Sequence, residues 1–231
     1  NYFTFGDYEV ELIKKNQNKS PRLKSIGSIN AATAKEYFKI NKISFDEKTY
    51  DICLLSEAHY FLNTEYPDVP DISENIGLVA KYTHQFCKKN RKKLIFSGRN
   101  DINALNKNVE KIFYENQLKG QKFEISFPNR KKFENFQNVI KSDLIIASHS
   151  TMLKEAIAFK KKILWCNWVD QTEFPATGIC KLDSKNYENF EIRVKKLLEM
   201  NYDEYLSEVK KYDLAYNSKI DTLKFIRDEL K

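Results

Sequence analysis

Short apolar runs alternate along the chain with segments whose apolar residues recur at helical spacing. The runs Tyr2–Phe5, Arg22–Ile26, Tyr50–Leu55, Lys93–Phe96, Phe123–Ser126, Leu144–Ala147 and Lys162–Cys166 are predicted strands. Helices are predicted near Tyr8–Lys15, Ala31–Phe38, Ser73–Lys89, Ile102–Leu118 and Lys131–Ile140, and again where Leu153, Ala156, Ile157 and Ala158 follow Thr151. Two terminal helices, Tyr187–Met200 and Tyr202–Glu229, close the pattern, and a long irregular loop with Pro67 and Pro70 interrupts it. Strands alternating with helices at this spacing predict an α/β fold, Rossmann-like, with a mainly parallel sheet and helices on both faces. The expectation is a single domain over residues 1–231, with C-terminal helices over about 187–231.

In such a sheet, ligands bind beyond the carboxyl ends of the strands. The predicted ends read Gly27-Ser28, Ser56-Glu57, Ser97-Gly98-Arg99-Asn100, Ser126-Phe127-Pro128 and Ser148-His149-Ser150-Thr151. Small and hydrogen-bonding residues dominate this edge. The last turn carries the most information, because a buried strand runs through it into a helix. Helix-start amides with the hydroxyls of Ser148, Ser150 and Thr151 form an anion site, and Glu155, one turn further in, meets the hydroxyls of a ribose or sugar. The alternative is that Ser148 or Ser150 only caps the helix. Arg99 is a bidentate phosphate ligand or a surface arginine. Glu57 is a general base, a sugar-hydroxyl ligand, or a loop acid that caps a helix. His149 is a base, a phosphate donor or a packing residue. His59 and His84 read as structural.

Composition narrows the ligand class only slightly. The 231 residues carry a formal charge of +7, which favours an anionic partner. The lysine clusters at 88–93 and 160–162 fall where helices should end, the positions the helix dipole favours for cations. No basic–aromatic array suggests nucleic acid. The four cysteines lack the spacing of a zinc site or redox dithiol, so no metal is expected, and a reducing cytoplasm is the expected compartment. No apolar run is long enough to cross a bilayer. The dinucleotide fingerprint, the phosphate-binding loop and the nucleophile elbow are missing, which disfavours dehydrogenases, P-loop NTPases and α/β-hydrolases.

The segment Ser142–Asn167 resembles the nucleotide-binding half of GT-B glycosyltransferases of bacterial surface polysaccharide synthesis. The CDP-glycerol glycerophosphotransferase-like, Kdo-transferase-like and sialyltransferase-like groups share the pattern. The likeness is carried by Ser142-Asp143-Leu144-Ile145-Ile146-Ala147-Ser148-His149-Ser150-Thr151, by Glu155-Ala156 and by Lys162-Ile163-Leu164-Trp165-Cys166-Asn167. It implies a donor linked to CMP, CDP or UDP and no separate cofactor. Ser150 and Thr151 would hold its phosphates, Glu155 the ribose or sugar, Ser126-Phe127 the base, and Arg99 the leaving phosphate. Gly27 and Ser28 resemble a strand end at the start of such a domain. The chain departs from the pattern at Ser97-Gly98-Arg99-Asn100, where relatives often carry a Lys/Arg-Pro-His-Pro-like run. The resemblance further implies a glycan or lipid-linked acceptor, an N-terminal acceptor domain outside this chain, and a place at the inner face of the membrane. Two other functions stay open, a UDP-sugar 2-epimerase-like enzyme and a non-catalytic nucleotide or glycan module.

Overall fold

The computed structural model describes residues 2–16, 22–44, 48–57, 72–168 and 174–231. His59, Pro67 and Pro70 lie outside the described residues. The first elements are β1 (Tyr2–Thr4), α1 (Asp7–Asn16), β2 (Leu23–Ser25) and α2 (Ile29–Ile40). The central unit follows as β3 (Tyr50–Leu55), α3 (Ser73–Asn90), β4 (Leu94–Ser97), α4 (Lys107–Gln117), β5 (Ile125–Ser126), α5 (Glu134–Ile140), β6 (Ser142–Ala147), α6 (Met152–Ile157) and β7 (Lys162–Trp165). The chain ends in β8 (Thr177–Gly178), α7 (Tyr187–Glu199), α8 (Tyr202–Glu208), β9 (Val209–Lys210), α9 (Tyr212–Ala215) and α10 (Thr222–Glu229).

Strands β3 to β7 form one parallel sheet of five in the order β5-β4-β3-β6-β7. Its middle strands are apolar on both faces, as Ile52 to Leu55 and Leu144 to Ala147 show by their burial. Helix α3 packs on α4 and α7, and α6 packs on α2 and α5. Right-handed crossovers put these groups on opposite sides of the sheet. The fold is Rossmann-like, a parallel sheet with helices on both faces, as the pattern of strands and helices predicts.

Two parts of the layout differ from the sequence expectation. Strands β1 and β2 do not join the main sheet; they pair with each other, in parallel, beside it. The C-terminal segment reaches back to this pair, with Asn217 donating from its backbone to the Phe5 carbonyl at 2.7 Å and from its side chain to the Ser25 carbonyl at 2.9 Å. These contacts, and pairing of β9 with β8, break the expected long last helix into α8, α9 and α10. Likewise α4 starts at Lys107 rather than Ile102. The Asp101 carboxylate accepts from the amides of Asn103 (2.9 Å) and Arg130 (3.1 Å), which holds the preceding residues in turns. The expected helix from Lys131 begins as a 3-10 turn over Arg130–Lys132, and α5 proper starts after Phe133, whose φ is 52°.

Lysines of the second basic cluster act on helix ends, though not on their own helix. Lys161 Nζ donates to the Ile140 carbonyl at 2.5 Å and Lys162 Nζ to the Met200 carbonyl at 2.7 Å, at the ends of α5 and α7. Burial lowers both lysine pKa values. The four cysteines are buried and unpaired, and burial pushes the Cys87 thiol up to about 12. Among the described residues no helix is long and apolar enough to cross a membrane.

Candidate functional site

The strand order reverses between β3 and β6, because β4 and β5 lie to one side of β3 and β6 and β7 to the other. The turns leaving such neighbours diverge and open a crevice. Here the crevice is a cleft of about 400 Å³. Its β4 side is formed by Ser97, Gly98, Arg99 and Arg130, its β6 side by Ser150, Thr151, Met152 and Glu155, and an aromatic wall by Phe133 and Phe136.

The β4 side is built on a buried glutamate that the sequence reading did not single out. Glu110, on α4, accepts from the Arg99 amide at 2.9 Å, from the Asn100 amide at 3.1 Å and from the Asn100 side chain at 2.6 Å. It also accepts from the Ser56 hydroxyl, which in turn accepts from the Tyr114 hydroxyl at 2.9 Å. Burial pushes the Tyr114 pKa up, so it stays a donor. The only sequence signal for Glu110 is its helical spacing to Tyr114, which puts a carboxylate on the apolar face. The Arg130 guanidinium donates to the Arg99 carbonyl at 2.8 Å and so joins the same wall. Gly98 is required here: a Cβ would stand 2.7 Å from the Phe127 ring.

The β6 side uses the same device with Glu57. Its carboxylate, only 2% exposed, accepts from the amides of Ser148 (3.2 Å) and His149 (2.6 Å). The Ser148 hydroxyl is also sealed in, at 2% exposure, between the Asn75 side chain and His149 Nδ1. Asn75 extends the tie, donating to the Cys166 carbonyl at 3.0 Å and accepting from the Trp168 amide at 3.2 Å. These facts correct the sequence reading. Glu57, read as a base, a sugar-hydroxyl ligand or a capping loop acid, holds the turn's first two amides as a capping acid does, and Ser148, read as a phosphate ligand or a helix cap, braces the turn from inside. His149 is half-buried against Ser148, and neither it nor Glu57 lines the cleft. Ser150 and Thr151 do line it. The Ser150 hydroxyl accepts from the Met152 amide, the first of α6, at 3.3 Å while its residue lines the cleft. Among the described residues the Ser150 and Thr151 amides meet no acceptor.

Glu155 joins the cleft to the β1–β2 pair. It accepts from the Ser28 hydroxyl at 2.6 Å, and that hydroxyl also accepts from the Ala31 amide at 3.1 Å as the cap of α2. Burial raises the Glu155 pKa and the Ser28 bond opposes the rise. Gly27 has φ 80°, and a Cβ there would stand 2.9 Å from the Tyr216 ring. Gly27 and Ser28 line a smaller adjoining cavity of about 310 Å³, which shares Asn30 with the cleft. Ser126 and Phe127, expected at the base, do not line the cleft: the Ser126 carbonyl accepts from the Gly98 amide at 2.8 Å and Phe127 packs on Gly98. Phe133 and Phe136 are the rings that face the cleft. The residues brought together are Arg99, Arg130, Ser150, Thr151 and Glu155, a set able to hold a polyanion at one end and hydroxyls at the other.

No family model matches the chain, and no curated protein matches it by sequence. Solved structures match its fold. UDP-GlcNAc 2-epimerase from Neisseria meningitidis, bound to UDP-GlcNAc, superposes with a TM-score of 0.56 at 18% identity over 99% of this chain and 60% of its own. The Methanocaldococcus jannaschii UDP-GlcNAc 2-epimerase, in complex with UDP-GlcNAc and UDP, gives 0.57 at 15% over 96% of this chain and 58% of its own. The wall teichoic acid polymerase TagF gives 0.46 at 10% over 99% of this chain, too weak a likeness to argue from. The chain therefore spans about 60% of the first matched enzyme's length.

Proposed function

We propose that the cleft binds a nucleotide-sugar and that the chain is the donor-binding part of a metal-independent glycosyltransferase. The observation that carries this reading is the convergence of Arg99, Arg130, Ser150 and Thr151 on one cleft above Glu155. Guanidinium groups, hydroxyls and the Ser150 and Thr151 amides meet the diphosphate or monophosphate. Phe133 offers a ring to the base, and Glu155, held by Ser28, accepts from sugar or ribose hydroxyls. When the glycosidic bond breaks, charge grows on the departing phosphate, and the two arginines stabilise it there. The acceptor, a glycan or a lipid-linked glycan, is assigned to sequence outside this chain.

A 2-epimerase is the second reading, favoured by the folds in the preceding comparison. Proton removal and return at a sugar carbon need converging acids or bases. Among the described residues Glu155 is the only carboxylate lining the cleft, which favours transfer.

Calorimetric titration with UDP, CDP and CMP tests the binding. One of the three should bind, and Arg99→Ala with Arg130→Ala should weaken it by roughly 100-fold, about two charge-assisted hydrogen bonds. Equal affinity in the double variant would reject the assignment. Conversion of UDP-GlcNAc to its 2-epimer, followed by NMR, would select the second reading.

A further inference from the structure

A second cavity, of about 460 Å³, lies at the opposite end of β4 from the cleft. Strand β5 begins only at Ile125, opposite Phe96, so the amino end of β4 has no strand on that side. The Phe96 amide donates across to the Glu124 carbonyl at 2.9 Å, and the Leu94 amide, two residues earlier, faces the same way. The last turns of α3 and residues 121–124 wall the gap. Two bonds tie these walls together. His84 Nε2 donates to the Lys122 carbonyl at 3.0 Å, and Lys88 Nζ to Gln121 Oε1 at 3.2 Å. The floor is apolar, made of buried Cys87 and half-buried Leu94 and Phe123. Phe123 is fixed by ring contacts to Phe96 and Tyr114. An apolar floor of this extent under a few polar groups is the build of a small-molecule site.

The rim sets the sign of the ligand. Lys88, Lys92 and Lys122 stand exposed at the mouth. Lys88 and Lys122 meet no carboxylate among the described residues. Lys92 is 3.7 Å from Asp51, which Lys48 and the Lys93 amide already engage. The one acid of the lining, Glu124, accepts from the Tyr50 hydroxyl at 2.8 Å. A helix C-terminus turns free carbonyls on an anion. Here the Phe86 carbonyl is taken by the Asn90 side chain at 2.9 Å and the Cys87 carbonyl by the Lys92 amide at 2.9 Å. Lys88 and Lys92 belong to the 88–93 cluster that the helix dipole alone could explain, and the fold also turns them on this cavity.

We propose that the cavity binds a small organic anion with an aromatic ring, the ring against Phe123 and Leu94 and the acid group among Lys88, Lys92 and Lys122. The site is separate from the cleft and rests on no part of the reading given to it.

Anilinonaphthalene sulfonate, an aromatic sulfonate that brightens when its rings leave water, is the probe. Titrated into the whole chain, it should bind saturably. Among the described histidines only His84 lines the cavity. Its ring protons, assigned by their loss in His84→Gln, should shift in NMR as the probe binds. Lys88→Glu with Lys122→Glu should weaken binding by roughly tenfold or more, as expected for two exposed ion contacts reversed. The melting temperature should not change, since both side chains lie at the surface. Arg99→Ala with Arg130→Ala should leave the probe's affinity as it is. No saturable binding, unchanged affinity in the lysine variant, or loss of binding in the arginine variant with His84 unmoved would each overturn the proposal. Displacement by equimolar inorganic phosphate would overturn the ligand class, since the ring would then contribute nothing.

Discussion

The turns after β4 and β6 solve one problem in the same way and then diverge. Each leaves a parallel strand with two consecutive amides pointing inward. Each meets them with a buried glutamate from a distant element, Glu110 for Arg99 and Asn100, Glu57 for Ser148 and His149. The β4 turn then offers the Arg99 side chain to the cleft, with Arg130 joining it from the 3-10 turn after β5, and the β6 turn offers the hydroxyls and amides of Ser150 and Thr151. The lesson is that the amides of a strand-end turn can be committed to the fold while the cleft is lined by the same residue's side chain, as at Arg99, or by residues one or two positions later, as at Ser150 and Thr151. Glu155 is the contrast to both: its carboxylate accepts from a hydroxyl, Ser28, and still lines the cleft.

The largest expected effect is at Glu110. Glu110→Ala strands two amides and the Ser56 hydroxyl, and urea unfolding should show a loss of roughly 3 kcal/mol or more. Glu57→Ala strands two amides and should lose roughly 2 to 4 kcal/mol by the same measurement. If either variant unfolds like the parent, its turn is not held by the glutamate and the parallel between the two turns fails. Ser148→Ala sharpens the comparison further. It should lower stability by about 1 kcal/mol, through Asn75, and leave nucleotide affinity unchanged. Ser150→Ala with Thr151→Ala should do the reverse, and calorimetry of both variants separates brace from ligand.

The smallest effect concerns pH. Burial holds the Glu155 carboxyl above its ordinary value of 4.5. The folded state therefore binds more proton than the unfolded state just above 4.5, and stability falls as pH rises through that window. Glu155→Gln removes the buried charge and keeps an oxygen for Ser28. Its melting temperature should exceed the parent's at neutral pH, with the difference closing as the pH falls toward 4.5. A difference that does not change with pH would mean that the carboxylate is solvated in the fold.

Periodicity made most of the fold legible. Short unbroken apolar runs such as Leu144 to Ala147, flanked by helical patterns, read as buried strands by their length, and burial on both faces follows from the lack of alternation. Ser150, Thr151, Glu155 and Arg99 were legible as cleft residues because strand ends in a parallel sheet share one edge. Sequence alone could not say which serine of Ser148-His149-Ser150 turns inward, since both have the same chemistry and differ only in direction. Nor could it find Glu110, Asn75 or Arg130, whose partners lie from 10 to 93 residues away along the chain.

What the sequence by itself determined is the strands of the central sheet, the helices between them and the side of the sheet on which chemistry gathers, because these follow from local periodicity and backbone preference. Tertiary structure alone decided the strand order, the separate β1–β2 pair, the breaking of the last helix and the division of polar groups between scaffold and cleft. The reason is physical. A buried amide or carboxylate must find a partner wherever the fold brings one, and that choice is made between segments remote in the chain.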